Sequence, residues 1–120
     1  MKRKHHDLLA WQEAISLVKL VYQTSKAFPR AELYGLTSQM RRAAVSVPAN
    51  IAEGAGRTSK KEFLQYLSIA RGSLTELETY VVLAKELAFC SDAQELESSI
   101  DRVLALIGGL INSERAREVR

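Results

Sequence analysis

One cysteine, Cys90, stands alone in 120 residues. No intramolecular disulfide can form, and a reducing compartment is the simplest setting. Aromatic residues are scarce at 7%, and there are two prolines. That composition argues against a β-sandwich and for helices. No apolar run approaches the roughly 18 residues that a membrane span needs. The basic start "MKRKHHDLL" is not followed by an apolar signal segment. A soluble, cytoplasmic protein is expected.

Histidine is nearly absent as well. His5 and His6 are the only two, and both precede the first helical pattern. A ferritin-like di-iron site needs two inward Glu-x-x-His pairs, so it is excluded. A Ser-His-Asp triad would need a histidine in the folded body. Cys90 has no CxxC partner for structural zinc, and the His5–His6 pair reads as a solvated tail before a metal site. "GAGR" at 54–57 is a helix stop rather than a phosphate cradle. Glu53, Glu62, Glu76 and Glu78 leave a metal-dependent nuclease as a remote alternative, with no carboxylate pair standing out. The expectation is therefore no enzyme: no catalytic residue, metal, cofactor or small-molecule substrate.

What is present is amphipathic. Apolar residues make up 47% of the chain and charged residues 26%, a globular balance sized for one domain. The net charge is +3, unevenly spread. Residues 1–72 hold 12 of the 17 Lys/Arg and 5 of the 14 Asp/Glu, and residues 73–120 hold the remainder. Such asymmetry suits an acidic partner such as nucleic acid, or self-association of a basic surface with an acidic one. It is also compatible with chance patterning of a solvated surface.

Four helical stripes follow along the chain. Trp11, Ile15, Val18 and Tyr22, widened by Ala14, Leu17 and Val21, predict a helix over about 8–26, ended by "FPRAE". Leu36, Met40, Ala43, Val47 and Ile51 predict one over 35–53, stopped by Gly54 and Gly56. Ser59 and Glu62 form a capping-box pattern. From there Phe63, Leu67, Ala70, Leu74, Leu77, Val81, Ala84 and Ala88 make a heptad seam over 59–88. Leu96, Ile100, Val103, Ile107 and Leu110 predict the last helix over 92–113. No strand-like alternation, repeat or linker appears. The prediction is an all-α, antiparallel up-down-up-down four-helix bundle occupying 1–120 as one domain, with a flexible basic N-terminus and a charged, fraying C-terminus.

The second helix raises a question of its own. In "QMRRAAVSVPANIAEG", Pro48 predicts a bend near Ala44–Pro48 or a fresh turn starting at the proline. Gln39, Arg42, Ser46, Asn50 and Glu53 recur on one face amid small residues. Folding the second and third helices back about residue 56 brings Arg42 level with Ala70–Arg71, and Asn50 level with Glu62. Folding the third and fourth about residue 90 brings Arg71 level with Gly109, and Glu78 with Arg102. Arg41, Arg42 and Arg71 are then expected to cluster. Two readings are open. The arginines form an anion site, since guanidinium forks match phosphates, or Gln39, Arg42, Ser46, Asn50, Glu53, Arg71 and Glu78 form a polar seam between helices or subunits. A second apolar line, Tyr66, Ile69, Tyr80, Leu83 and Leu87, is either a broad core arc or an oligomer interface.

Four stretches carry a resemblance: "WQEA" at 11–14, "FPRAELYGL" at 28–36, "QMRRAAVSVPANIAEGAGR" at 39–57 and "KEFLQYLSIARGSLTELET" at 61–79. They closely resemble the four-helix-bundle family named for proteins encoded in intervening sequences of bacterial 23S ribosomal RNA genes. The resemblance implies an antiparallel bundle that forms a ring-shaped homo-oligomer, typically a pentamer. It also implies a shape similar to the accessory protein of diversity-generating retroelements, a basic pentameric bundle that binds nucleic acid and a reverse transcriptase. The family has no established catalytic residues, so none carries over.

Together these readings predict a non-enzymatic, ring-forming bundle of undetermined biological role. It would bind structured RNA or other nucleic acid through Lys2, Arg3, Lys4, Arg41, Arg42, Arg57, Lys60, Lys61 and Arg71. The alternative is a protein-interaction scaffold without nucleic-acid binding.

Overall fold

A computed structural model describes residues 2–118 of the chain. Met1, Val119 and Arg120, the ends of the expected domain, lie outside the described residues. Four α-helices carry the fold, with no strand among the described residues: α1 (Leu9–Ser25), α2 (Leu36–Ala55), α3 (Lys60–Glu86) and α4 (Gln94–Glu118). Short 3-10 turns precede α1 (Lys4–Asp7) and α2 (Arg30–Glu32). α1 packs against α2 and α4, and α3 packs against the same two, so the four surround one core. No helix of the described residues is long and apolar enough to cross a membrane.

The core is the sum of four stripes. α3 contributes its heptad seam, with Leu67, Ala70, Leu74, Leu77, Val81 and Ala84 all buried. α4 contributes Leu96, Ile100, Val103, Ile107 and Ile111. Each buried Leu, Ile or Val contributes roughly 1.5–3 kcal/mol of transfer free energy. α1 departs from the sequence expectation. Its buried line is Ala10, Ala14, Leu17, Val21 and Ser25, which follows the Ala14–Leu17–Val21 side of the predicted stripe and not Trp11, Ile15, Val18 and Tyr22. Ile15 and Tyr22 are exposed, and Trp11 and Val18 only flank the core. Small Ala10 and Ala14 allow close approach, whereas Trp11 packs sideways on the rings of His5 and His6.

The helices depart from the sequence expectation at several points. α2 runs through Pro48 without interruption, so no fresh turn begins there. The buried proline ring fills core space while its missing N–H removes one helical bond. α3 stops at Glu86, before the predicted Ala88. Ala88 takes φ 61°, and the bonds Phe89 N–H to Ala84 O (2.8 Å) and Ala88 N–H to Lys85 O (3.0 Å) close a Schellman motif without glycine. α4 extends to Glu118, past the fraying expected after residue 113. At the other terminus, the basic segment is anchored: the Arg3 N–H donates to His6 Nδ1 at 2.8 Å, and Gln12 Nε2 donates to His6 O at 2.7 Å.

Gly54 sets the closest approach of α2 to α3. A Cβ built there would lie 2.6 Å from Tyr66 Cβ and 3.0 Å from Phe63 Cδ1. The residue read as a helix stop is in fact buried inside α2, which continues to Ala55.

Candidate nucleic-acid interface

Polar side chains on a small-residue helix face must bond to something when a second helix closes over them. On α2, Ser46 meets Ser73 of α3 (Oγ to Oγ 2.8 Å), and Asn50 Nδ2 donates back to Ser46 O and Oγ at 2.8 and 2.9 Å. Further along, the Tyr80 hydroxyl reaches Gln39 Oε1 at 3.5 Å and Glu76 Oε1 at 3.2 Å. Burial, then the Glu76 carboxylate, pushes the Tyr80 phenol above its usual value. The predicted seam is thus partly a helix–helix clasp, completed by Ser73 and Tyr80. Ser73 went unnoticed in the sequence because serine on a helix carries no distinctive spacing.

The remaining seam residues do not join it. Arg42, Arg71 and Glu78 are exposed, and among the described residues their side chains make no ion pair or hydrogen bond. The level of Ser46 with Ser73, and of Gln39 with Tyr80, puts Arg42 beside Leu77 and Arg71 beside Pro48. The two arginines are therefore ~9 Å apart along the helix axis, not clustered as the fold-back about residue 56 predicted. Arg41 and Arg42 line one groove between α1 and α2, with Arg41 committed to α1. Its Nε donates to Ser25 Oγ of α1 at 2.9 Å, and its guanidinium lies 4.6 Å from the Tyr22 ring. Arg102 pairs with Glu13 of α1, and Glu78 lines a pocket with Asp101, close to the expected level.

Three of the nine basic candidates converge instead at the end of the bundle where α2 turns into α3. Lys4, Arg57 and Lys60 line one cup of about 290 Å³, together with Arg117 of α4. Arg57 is the best-anchored of them: it meets Glu53 at 3.0 Å, Glu62 at 3.7 Å and the Tyr66 hydroxyl at 2.9 Å. Its guanidinium also lies 5.1 Å from the Tyr66 ring. Tyr66 first, then Glu53 and Glu62, hold the Arg57 pKa above its usual value against a smaller opposing effect of burial. Two of the four carboxylates weighed for metal chemistry are thus committed to Arg57.

The Ser59 hydroxyl caps α3 by accepting from the Glu62 N–H at 3.1 Å. Glu62 answers that hydroxyl and Arg57 rather than the Ser59 backbone. Lys61 is exposed on the same first turn but outside the cup lining. Lys2 pairs with Asp7 at 2.9 Å, and Arg3 is exposed. Arg117 escaped the sequence reading because it lies in the segment expected to fray.

The second apolar line divides. Ile69, Leu83 and Leu87 of α3 and the α3–α4 turn are exposed, with Val82 beside them. Tyr66 and Tyr80 are half-buried and spent on the polar contacts above. Sequence reasoning missed a second apolar surface, an open groove between α1 and α2 lined by Tyr22, Leu33, Tyr34 and Val45. Tyr34 is 93% exposed there.

Comparison with known proteins adds one match. The family model described as 23S rRNA-intervening sequence protein covers residues 6–109. That span holds the clasp, Arg57 and Lys60, and leaves Lys4 and Arg117 outside. No curated protein matches the chain.

Proposed function

The chain belongs to the 23S rRNA-intervening sequence protein family, and from that premise we propose a non-enzymatic bundle protein that binds structured RNA, or other nucleic acid, through its basic end. The observation that carries this reading is the convergence of Lys4, Arg57, Lys60 and Arg117 on one cup. Lys61 stands just outside it, and exposed Arg42 and Arg71 extend positive charge along the outer face of α2 and α3. Cations spread along one surface bind a polyphosphate by releasing its counterions, without reading sequence. Cytoplasmic action fits the lone thiol of Cys90.

The same reading includes assembly. The helices run up-down-up-down and antiparallel, a view supported by pairs such as Gln39–Tyr80 and Ser46–Ser73, in which rising α2 numbers meet falling α3 numbers. Copies associate head-to-tail into a closed ring, a homopentamer, through the outer apolar line Ile69, Leu83 and Leu87. Three exposed aliphatic side chains along α3 and the turn that follows it support an interface of that kind.

The test is binding of nuclease-treated protein to structured RNA and to duplex DNA, titrated from low to physiological salt. The expected result is affinity whose logarithm falls linearly with log salt, at a slope worth several phosphate contacts. Reversal of Lys60→Glu with Lys61→Glu weakens it without loss of helical signal. Light scattering of the same sample reads the subunit number. A protein-interaction scaffold is the second reading, favoured by the exposed Tyr34 groove. Salt-insensitive capture of a protein with no nucleic acid bound at either salt would replace the first reading with the second.

A further inference from the structure

A lysine that lines a concavity without an ion-pair partner is placed for a charge that arrives from outside; among the described residues the one carboxylate lining this cup, Glu114, is already paired with Arg117. Lys4 and Lys60 both border the cup between the Lys4–Asp7 turn, the α2–α3 turn and the end of α4. Among the described residues neither has an ion-pair partner, although Lys60 is half-buried. Arg57 and Arg117 stand at the same rim, each already held by carboxylates, Glu114 at 3.2 Å in the case of Arg117. The α3 helix starts there too, and its first N–H groups add positive potential. The cup also has an apolar lining, Leu8 and Phe63, both partly buried and packed on the core.

That combination is specific in what it fits. A bare inorganic anion would use the cations and leave the apolar lining against water. A duplex backbone would cross the rim and leave the interior empty. The space, about 290 Å³, is at the small end of ordinary ligand clefts. We infer that the cup takes one nucleotide unit, its phosphate among Lys4, Lys60 and Arg57 and its base against Leu8 and Phe63. The unit is either a free mononucleotide or an unpaired nucleotide at the end of a structured RNA. This inference rests on the nucleic-acid reading above and narrows it from a surface to a seat.

The experiment compares a blunt RNA hairpin with the same hairpin carrying one unpaired 5′-phosphorylated nucleotide, by fluorescence anisotropy on the full chain. Adenosine monophosphate serves as competitor. The unpaired nucleotide is expected to tighten binding about tenfold, the order of one base stacked on an aromatic ring, here Phe63. The double reversal Lys4→Glu with Lys60→Glu should erase that gain, and so should Phe63→Leu, which keeps an apolar side chain of similar bulk. Phe63→Leu should leave the blunt hairpin bound as before. Displacement by adenosine monophosphate would assign the seat to free nucleotides as well as strand ends. A tenfold gain that the free nucleotide cannot displace would assign it to strand ends alone. Equal affinity for both hairpins, with no effect of the competitor, overturns the seat and leaves the basic surface standing. Binding of neither RNA nor mononucleotide overturns both.

Discussion

The Oγ of Ser46 on α2 lies 2.8 Å from the Oγ of Ser73 on α3, and Asn50 donates to the same Ser46 oxygen. The hydroxyl pair marks the relative height of α2 and α3, and the Asn50 amide holds the Ser46 side of it. A hydrogen bond of this kind contributes about 0.5–1.5 kcal/mol net. Ser73→Ala is expected to lower stability by that amount in urea denaturation. In a double-mutant cycle with Ser46→Ala, the coupling should be about 0.5–1 kcal/mol; strict additivity would show the contact to be incidental.

Gly54→Ala should destabilise the fold although alanine is the better helix former. Alanine gains about 1 kcal/mol over glycine inside a helix. The new methyl would meet Tyr66 Cβ at 2.6 Å, and a Cβ cannot swing away as the end of a side chain can. Overpacking typically costs about 1–3 kcal/mol. A net loss of roughly 1 kcal/mol is expected in thermal or chemical unfolding, and a gain would mean that α3 yields freely at that level.

Ala88 holds a left-handed backbone, φ 61°, at the position where helices usually place glycine. Ala88→Gly should raise stability by about 0.5–1 kcal/mol, the relief of left-handed strain less the added freedom of the unfolded chain. A drop in the unfolding midpoint would show that the α3–α4 turn carries no such strain.

The N-terminal turn should loosen in mild acid. The His5 ring lies 4.9 Å from Trp11 and 4.4 Å from His6. Burial first, then His6 and Arg3, hold its pKa below the usual 6.5. The folded state therefore disfavours the proton more than the unfolded state does. Its stabilising effect is complete above pH 6.5 and is lost as pH falls from there through the lowered folded value. Trp11 is the sole tryptophan, so its emission should shift over that window. His5→Gln should abolish the response, and an unchanged response would point to another titrating group.

Periodicity made the four helices and their buried faces legible, because an apolar stripe at 3.6 residues per turn shows wherever a helix has one side in the core. Leu67 through Ala84 on α3 and Leu96 through Ile107 on α4 are buried as their spacing predicts. On α1 the same signal was ambiguous: two adjacent stripes were apolar, and small alanines rather than Trp11 and Ile15 took the inside. The family resemblance, written in the α2 motif and its flanks, is likewise borne out over residues 6–109.

What the sequence determined by itself was the class, four amphipathic helices, and the uneven spread of charge along the chain. What only the tertiary structure decided was which charges meet. A stripe is unchanged when one helix slides along another by a heptad, so the pattern of α2 and α3 left their register open. Contacts at single points closed it: Gly54 against Tyr66 and Ser46 against Ser73. That register separates Arg42 from Arg71, while the chain ends bring Lys4 and Arg117 to Lys60 across more than fifty residues of sequence in each direction.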